Sequence, residues 1–288
     1  MSKKNEFVMA GATEPESGAA APAGRSAFVS AVSRFLREHS KSILSVLSVT
    51  IFLVLWELVP RLGLARPVFT SSPSRIAAAA IVLMQDGFAH DIGVTLVEFS
   101  LGFGLAVVIG IPFGIMLGWN PIFQAIFEPF VTTLYSVPRI ALMPLIILWL
   151  GIGLYSKVAV VFLGAVFPII VSVYAGMHTL DDMLVRCARA FGATGRQLLR
   201  TVALPSTVPF MISGMRLGVG RALVGVIVAE FVASQAGVGH MMARAGATFQ
   251  TDKVFVGVLL LATIGLALTG LLKRLEARFE SWRPVTNQ

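Results

Sequence analysis

Residues 92–118 read IGVTLVEFSLGFGLAVVIGIPFGIMLG, and this stretch decides the fold class. It holds a single formal charge, Glu98. Crossing the ~30 Å hydrocarbon core of a bilayer takes roughly 20 helical residues, because lipid offers no partner to unpaired backbone N–H and C=O groups. A run this long and apolar is predicted to be a transmembrane helix. Comparable runs recur at 43–59, 122–150, 156–178, 210–232 and 254–272, which makes six predicted spans. The run 122–150 contains Pro129, Pro138 and Pro144 and carries Arg139, so a kinked or broken helix is expected there. Pro60 closes the first run, and Ser72-Pro73 opens a shorter Ala-rich helix to residue 85 that is predicted to lie at the surface. The fold class predicted is an all-α, polytopic transmembrane helical bundle.

Composition agrees. The 288 residues are 56% hydrophobic and 13% charged, with a mean hydropathy of +0.83. A water-soluble domain needs more polar surface than that, so the excess must face lipid. The net charge of +8 does not point to nucleic acid, because its cations gather at the ends of apolar runs. Cys187 is the only cysteine, and His39, His90, His178 and His240 lack metal-ligand spacing, so neither an internal disulfide nor a metal site is expected. Residues 1–25 read as a disordered tail and 26–40 as a short basic helix, without the apolar core of a cleavable signal peptide. The organisation predicted is a basic cytoplasmic segment over 1–40, a transmembrane domain over 41–280 with a loop at 180–206, and a cytoplasmic tail over 281–288.

Six spans put both termini on one side. That side collects Lys3, Lys4, Arg25, Arg34, Arg37 and Lys41 before the first span, Arg186, Arg189, Arg196 and Arg200 after the fourth, and Lys273, Arg274, Arg278 and Arg283 after the sixth. The opposite side holds Arg61, Arg66, Arg75, Arg244 and Lys253. Fourteen cations against five predict cytoplasmic termini. Within the spans, Gly110, Gly114 and Gly118, and likewise Gly214 and Gly218, recur every four residues. That spacing lines one helix face with small residues for close packing, within the bundle or at a homodimer seam.

No nucleotide-binding loop, H-E-x-x-H or G-x-S-x-G motif occurs, and Glu98, Glu128 and Glu230 are too separated in sequence to argue for a catalytic pair. The informative polar segment runs from Leu180: LDDMLVRCARAFGATGRQLLRTVALPSTVPF. Asp181 or Asp182 can cap a helix bearing Met183, Leu184, Cys187, Ala188 and Phe191 at helical spacing. Gly192 permits a left-handed turn. A second amphipathic stretch, 195–203, sets Leu198, Leu199 and Val202 against Arg196 and Arg200, and Pro205 is expected to stop it. Such a helix–Gly–helix unit suits either docking of a cytosolic partner or an amphipathic loop lying on lipid.

This segment resembles the E-A-A-x-x-x-G-x9-I-x-L-P loop in the integral subunits of binding-protein-dependent ABC importers. Gly192 falls at the glycine of that pattern, Val202 at the isoleucine, Leu204 at the leucine and Pro205 at the proline; Ala188 takes the second alanine. Arg186 stands where the pattern has glutamate, and Cys187 where it has the first alanine. SPSRIAAAA, PLIILWLGIGLYSKV, GMRLGVGRALVGVIVAEF and LEARFESW extend the likeness to permeases of the nitrate, sulfonate and taurine group. The resemblance implies a homodimer, two cytoplasmic ATPase subunits that bind the ATP, an extracytoplasmic solute-binding protein, and a bacterial-type inner membrane. Cargo in that group spans nitrate, alkanesulfonates, taurine and heterocycles.

Charged residues inside predicted spans are costly, by ~3 kcal/mol on insertion scales, and should face protein or water. Arg139, Arg216, Arg221 and Glu230 are the candidate pathway or gate residues. Arg221 and Glu230 lie nine residues apart, ~13 Å along a helix, so they cannot pair within one straight helix. Arg216 and Arg221 could line a path for an anion or serve structural roles, such as a pair with Glu230 between helices. Arg139, beside Pro138, marks either a kink opened toward a pathway or a helix end. Tyr135 and Trp149 are expected to be packing or interface anchors. The expected function is translocation of a small sulfonate-, taurine- or nitrate-like anion by alternating access, with no catalytic site or cofactor in the chain itself. An ion-coupled secondary transporter working without an ATPase, and a non-transporting scaffold, are the competing classes.

Overall fold

The computed structural model describes residues 44–64 and 66–279. The predicted tail and basic helix before residue 41 and the tail after 280 lie outside the described residues. The chain divides into two compact units, Met1–Trp56 and Glu57–Gln288. The described part of the first unit is most of α1 (Leu44–Arg61), an apolar helix of spanning length.

The second unit follows in the order α2 (Pro67–Thr70), α3 (Pro73–Gln85), α4 (Phe88–Trp119), α5 (Pro121–Ser136), a 3-10 turn (Arg139–Leu142), α6 (Met143–Leu150) and α7 (Leu154–His178). Then come α8 (Asp182–Ala190), α9 (Gly195–Leu198), a π-helical segment (Leu199–Ala203), α10 (Leu204–Ala233), α11 (Val238–Ala247) and α12 (Thr251–Arg278). Among the described residues all regular structure is helical. The helices α1, α4, α7 and α12 are long and apolar enough to cross a membrane, and α5 with α6 makes a fifth candidate bent by 90°. The 30 residues of α10 reach ~45 Å and contain the predicted fifth span with Arg216, Arg221 and Glu230.

The third predicted span is therefore broken, and the break has one cause. Pro138 forces the residue before it out of the helical region, and Val137 is extended (φ −69°, ψ 132°). Pro129 lies inside α5 without breaking it, while Pro144 falls in the first turn of α6, where its missing N–H has no intrahelical partner to lose.

The core is built around α7, packed by α4 and α10. Both glycine stripes face it. A Cβ on Gly114 would come within 2.8 Å of Val173, and one on Gly214 within 2.8 Å of Ser172. The glycines thus let neighbouring backbones of one chain approach closely. At the margin, α3 buries Ile76 and Leu83 and packs on α12. Ser72 occupies the N-cap position as expected, but its hydroxyl faces Ser74 at 3.2 Å and does not cap the backbone. Asp252 of α12 accepts from Ser71 at 2.6 Å and pairs with Arg75 at 2.9 Å.

Candidate functional site

The loop between α7 and α10 is two-faced. Asp181 caps α8 by accepting from the Met183 N–H at 2.7 Å. The helix ends at Gly192, whose φ of +79° is the left-handed turn that glycine adopts without steric cost. Thr194 and Gln197 then form a reciprocal capping box that starts α9. No residue of α8 is buried. Met183, Leu184 and Cys187 are exposed, Phe191 is 93% exposed, and Arg186 projects with only a 3.3 Å bond to the Asp182 carbonyl. Ala188 is half-buried.

The second half is anchored. Leu198 and Ala203 are buried, and Val202, Leu204 and Pro205 are half-buried. Pro205 does not stop this helix, contrary to the sequence expectation. The chain passes through the π-helical segment directly into α10, with Pro205 in its first turn. A proline lacks an N–H and clashes with the carbonyl four residues earlier, here Thr201; widening the turn to π geometry accommodates both. The loop is thus the projecting end of a rod that runs on into the core.

A second feature lies along that rod. Arg139, in the elbow between α5 and α6, and Arg221, on α10, line one cavity of about 490 Å³. The Arg139 guanidinium lies 5.3 Å from the Tyr135 ring centroid and 5.5 Å from that of Phe167, and donates to the Tyr135 carbonyl at 2.9 Å. Its buried Nε has no hydrogen-bond partner. Neither arginine forms an ion pair among the described residues, and no acidic residue lines the cavity. Tyr135 is therefore more than a packing anchor, since its ring and carbonyl position Arg139 and it lines the cavity. Trp149 is exposed.

The other two candidate residues lie elsewhere. Arg216 pairs with Glu276 at 3.2 Å, and Glu276 also accepts from Ser213 at 3.2 Å, tying α10 to α12. Glu230 is fully buried, accepting from Thr95 at 2.6 Å and from the Gly239 N–H at 2.5 Å. Thr95 in turn accepts from the Val238 N–H at 2.9 Å, and Asp91 from the Gly237 N–H at 2.8 Å. Sequence reasoning missed what adjoins this knot. Lys157, in the first turn of α7, pairs with Glu98 of α4 and donates to Ser234 at 2.8 Å. Glu98 adjoins the Glu230 carboxyl, and its second oxygen has no hydrogen-bond partner. The knot joins α4, α7, α10 and α11 ~39 Å along α10 from the loop.

A polytopic helical bundle with an anchored loop projecting an unburied amphipathic helix suits a membrane subunit that docks a partner, as a transport permease does. Residues 110–281 match the model of the binding-protein-dependent transport system inner membrane component, and the chain belongs to that family, the permease subunits of ABC importers. It is 30% identical over 245 residues to the taurine transport system permease protein TauC of Escherichia coli (strain K12), covering 83% of this chain and 89% of the relative. It is 31% identical over 231 residues to the formylaminopyrimidine transport permease protein ThiX of Halalkalibacterium halodurans, covering 80% and 92%. The fold is similar to a chain of the inward-facing MetNI methionine ABC transporter, with a TM-score of 0.59 at 20% identity, covering 66% of this chain and 95% of that one.

Proposed function

We propose that this chain works as a homodimer that carries a small sulfonate-type anion across the inner membrane, with both termini in the cytoplasm. Separate ATPase subunits bind all of the ATP, and an extracytoplasmic binding protein delivers the cargo. The observation that carries this reading is the projecting helix α8, which leaves Met183, Leu184 and Phe191 exposed beside the Gly192 turn. Apolar side chains set on a capped, rigid helix favour a fixed protein groove over bulk lipid, because their geometry is already organised before binding. Movement of that groove would turn α8, and α10 would carry the motion into the core through its unbroken connection to α9. Arg186 gives this face a positive charge where the family pattern has an acid, so its counterpart on the ATPase is acidic or neutral.

The anionic cargo is supported by the chain's own charges. Relatives with names as different as taurine and formylaminopyrimidine permeases do not choose between cargo classes. The two arginines of one acid-free cavity favour an anion. The test is reconstitution with the ATPase subunits and binding protein in proteoliposomes, measuring cargo-stimulated ATP hydrolysis and uptake. Uptake that requires all components is expected. Uptake by the purified chain alone, driven by an ion gradient, would establish the secondary-transporter class instead.

A further inference from the structure

We infer that the membrane subunit has its own charge filter: the Arg139–Arg221 cavity is a binding seat for an organic monoanion and rejects a zwitterion of the same size. The inference rests on the anion-importer reading and deepens it, because it places selectivity in this chain as well as in the binding protein.

Three features make the cavity a seat. Its volume of about 490 Å³ is within the ~300–1,000 Å³ usual for small-molecule sites. Arg139 is held from one side by the Tyr135 and Phe167 rings and the Tyr135 carbonyl, yet its buried Nε–H has no acceptor. A buried donor without a partner is costly, and the guanidinium that carries it lines the cavity, where no acid neutralises its charge. Arg221 adds a second cation from the other wall, with no carboxylate to neutralise it. One guanidinium held in place, that of Arg139, and a second on exposed Arg221 also suit the multidentate pairing that sulfonate or carboxylate oxygens accept.

The same features exclude a positive group on the cargo. An ammonium a few ångströms from the sulfonate would meet two guanidiniums and no acid. The remaining lining is neutral: Val160, Val224 and Ile140 are apolar, Ser136 and Tyr135 are uncharged, and no carboxylate is there to pair with the ammonium. Discrimination therefore comes from repulsion and from an unpaired buried charge, not from size.

The test uses the full importer complex in nanodiscs, without binding protein, titrated by calorimetry with ethanesulfonate, taurine and the neutral ethyl methyl sulfone. Ethanesulfonate should bind at least tenfold more tightly than taurine, the sulfone should show no saturable heat, and affinity should fall with added salt. Arg221→Gln should weaken ethanesulfonate binding about tenfold or more, and Arg139→Lys should keep part of the affinity that Arg139→Gln loses. Equal affinity for taurine and ethanesulfonate in the unsubstituted complex, or no binding of either, would overturn the inference without any variant having to fold. Copurification of the unsubstituted chain with its ATPase, measured on the same sample, reports separately on the importer reading.

Discussion

Replacing Lys157 with methionine removes one partner of a charge pair that water hardly reaches. Lys157 is 7% exposed and Glu98 2%. The substitution keeps the length and apolar stem of the side chain, so packing changes little and the loss is electrostatic. Glu98 is then left beside Glu230 without its cation, and its other oxygen already lacks a hydrogen-bond partner. Breaking a buried pair from one side typically costs ~3–5 kcal/mol. Ser234 loses its lysine contact as well, a further ~1 kcal/mol. We expect a loss of ~4 kcal/mol, about a thousandfold in the folding equilibrium. Reversible unfolding by SDS titration in mixed micelles measures it directly. Glu98→Gln combined with Lys157→Met should recover ~2 kcal/mol, since residue 98 then carries no uncompensated charge beside Glu230. A single-variant loss below ~1 kcal/mol, or a double variant that costs the sum of the two singles, would refute this account of the knot.

Phe191→Ala should leave the isolated chain's stability within ~0.5 kcal/mol, because the side chain touches little, yet weaken copurification with the ATPase by roughly 10–100-fold, the worth of burying one phenyl ring. Gly192→Val should cost ~1–2 kcal/mol locally. A Cβ there meets nothing within 4 Å, so the whole effect is left-handed backbone strain, visible as faster amide exchange in α8 and poorer ATPase coupling. Gly114→Leu, by contrast, forces α4 away from Val173 and should lower thermal stability by ~1–3 kcal/mol in a detergent melting assay.

Much of the fold was legible because spans announce themselves by length and lack of charge, which is local information. The 92–118 run lies within α4, and the surface helix at Pro73–Gln85 has the predicted limits. A break somewhere in 122–150 was legible from Pro129, Pro138 and Pro144, but not that Pro138 alone makes it, after Ser136. The π-helical segment was not, since one extra residue in a turn leaves no mark on an amphipathic pattern, and Pro205 therefore read as a stop. The buried knot was also hidden. Glu98 and Lys157 are 59 residues apart, and Thr95 and Glu230 are 135 apart. No periodicity within a helix encodes which neighbour it will meet. Arg139 and Arg221 were each conspicuous as a charge in an apolar run, but their shared cavity depends on the 90° elbow, whose direction the prolines do not specify.

That elbow has a thermodynamic corollary. Arg139 is mounted on the joint between α5 and α6, whereas Arg221 belongs to the rod that continues into α9. The two halves of the anion seat therefore ride on different mechanical parts. A ligand bridging both guanidiniums weighs on the angle between those parts, so it must favour whichever position of α8 keeps the charges together. Linkage makes the effect mutual: any ATPase state that shifts α8 changes the anion's affinity by the same factor that the anion changes the affinity for that state. Stimulation of ATP hydrolysis by cargo and release of cargo on ATP binding would then be two readings of a single coupling energy.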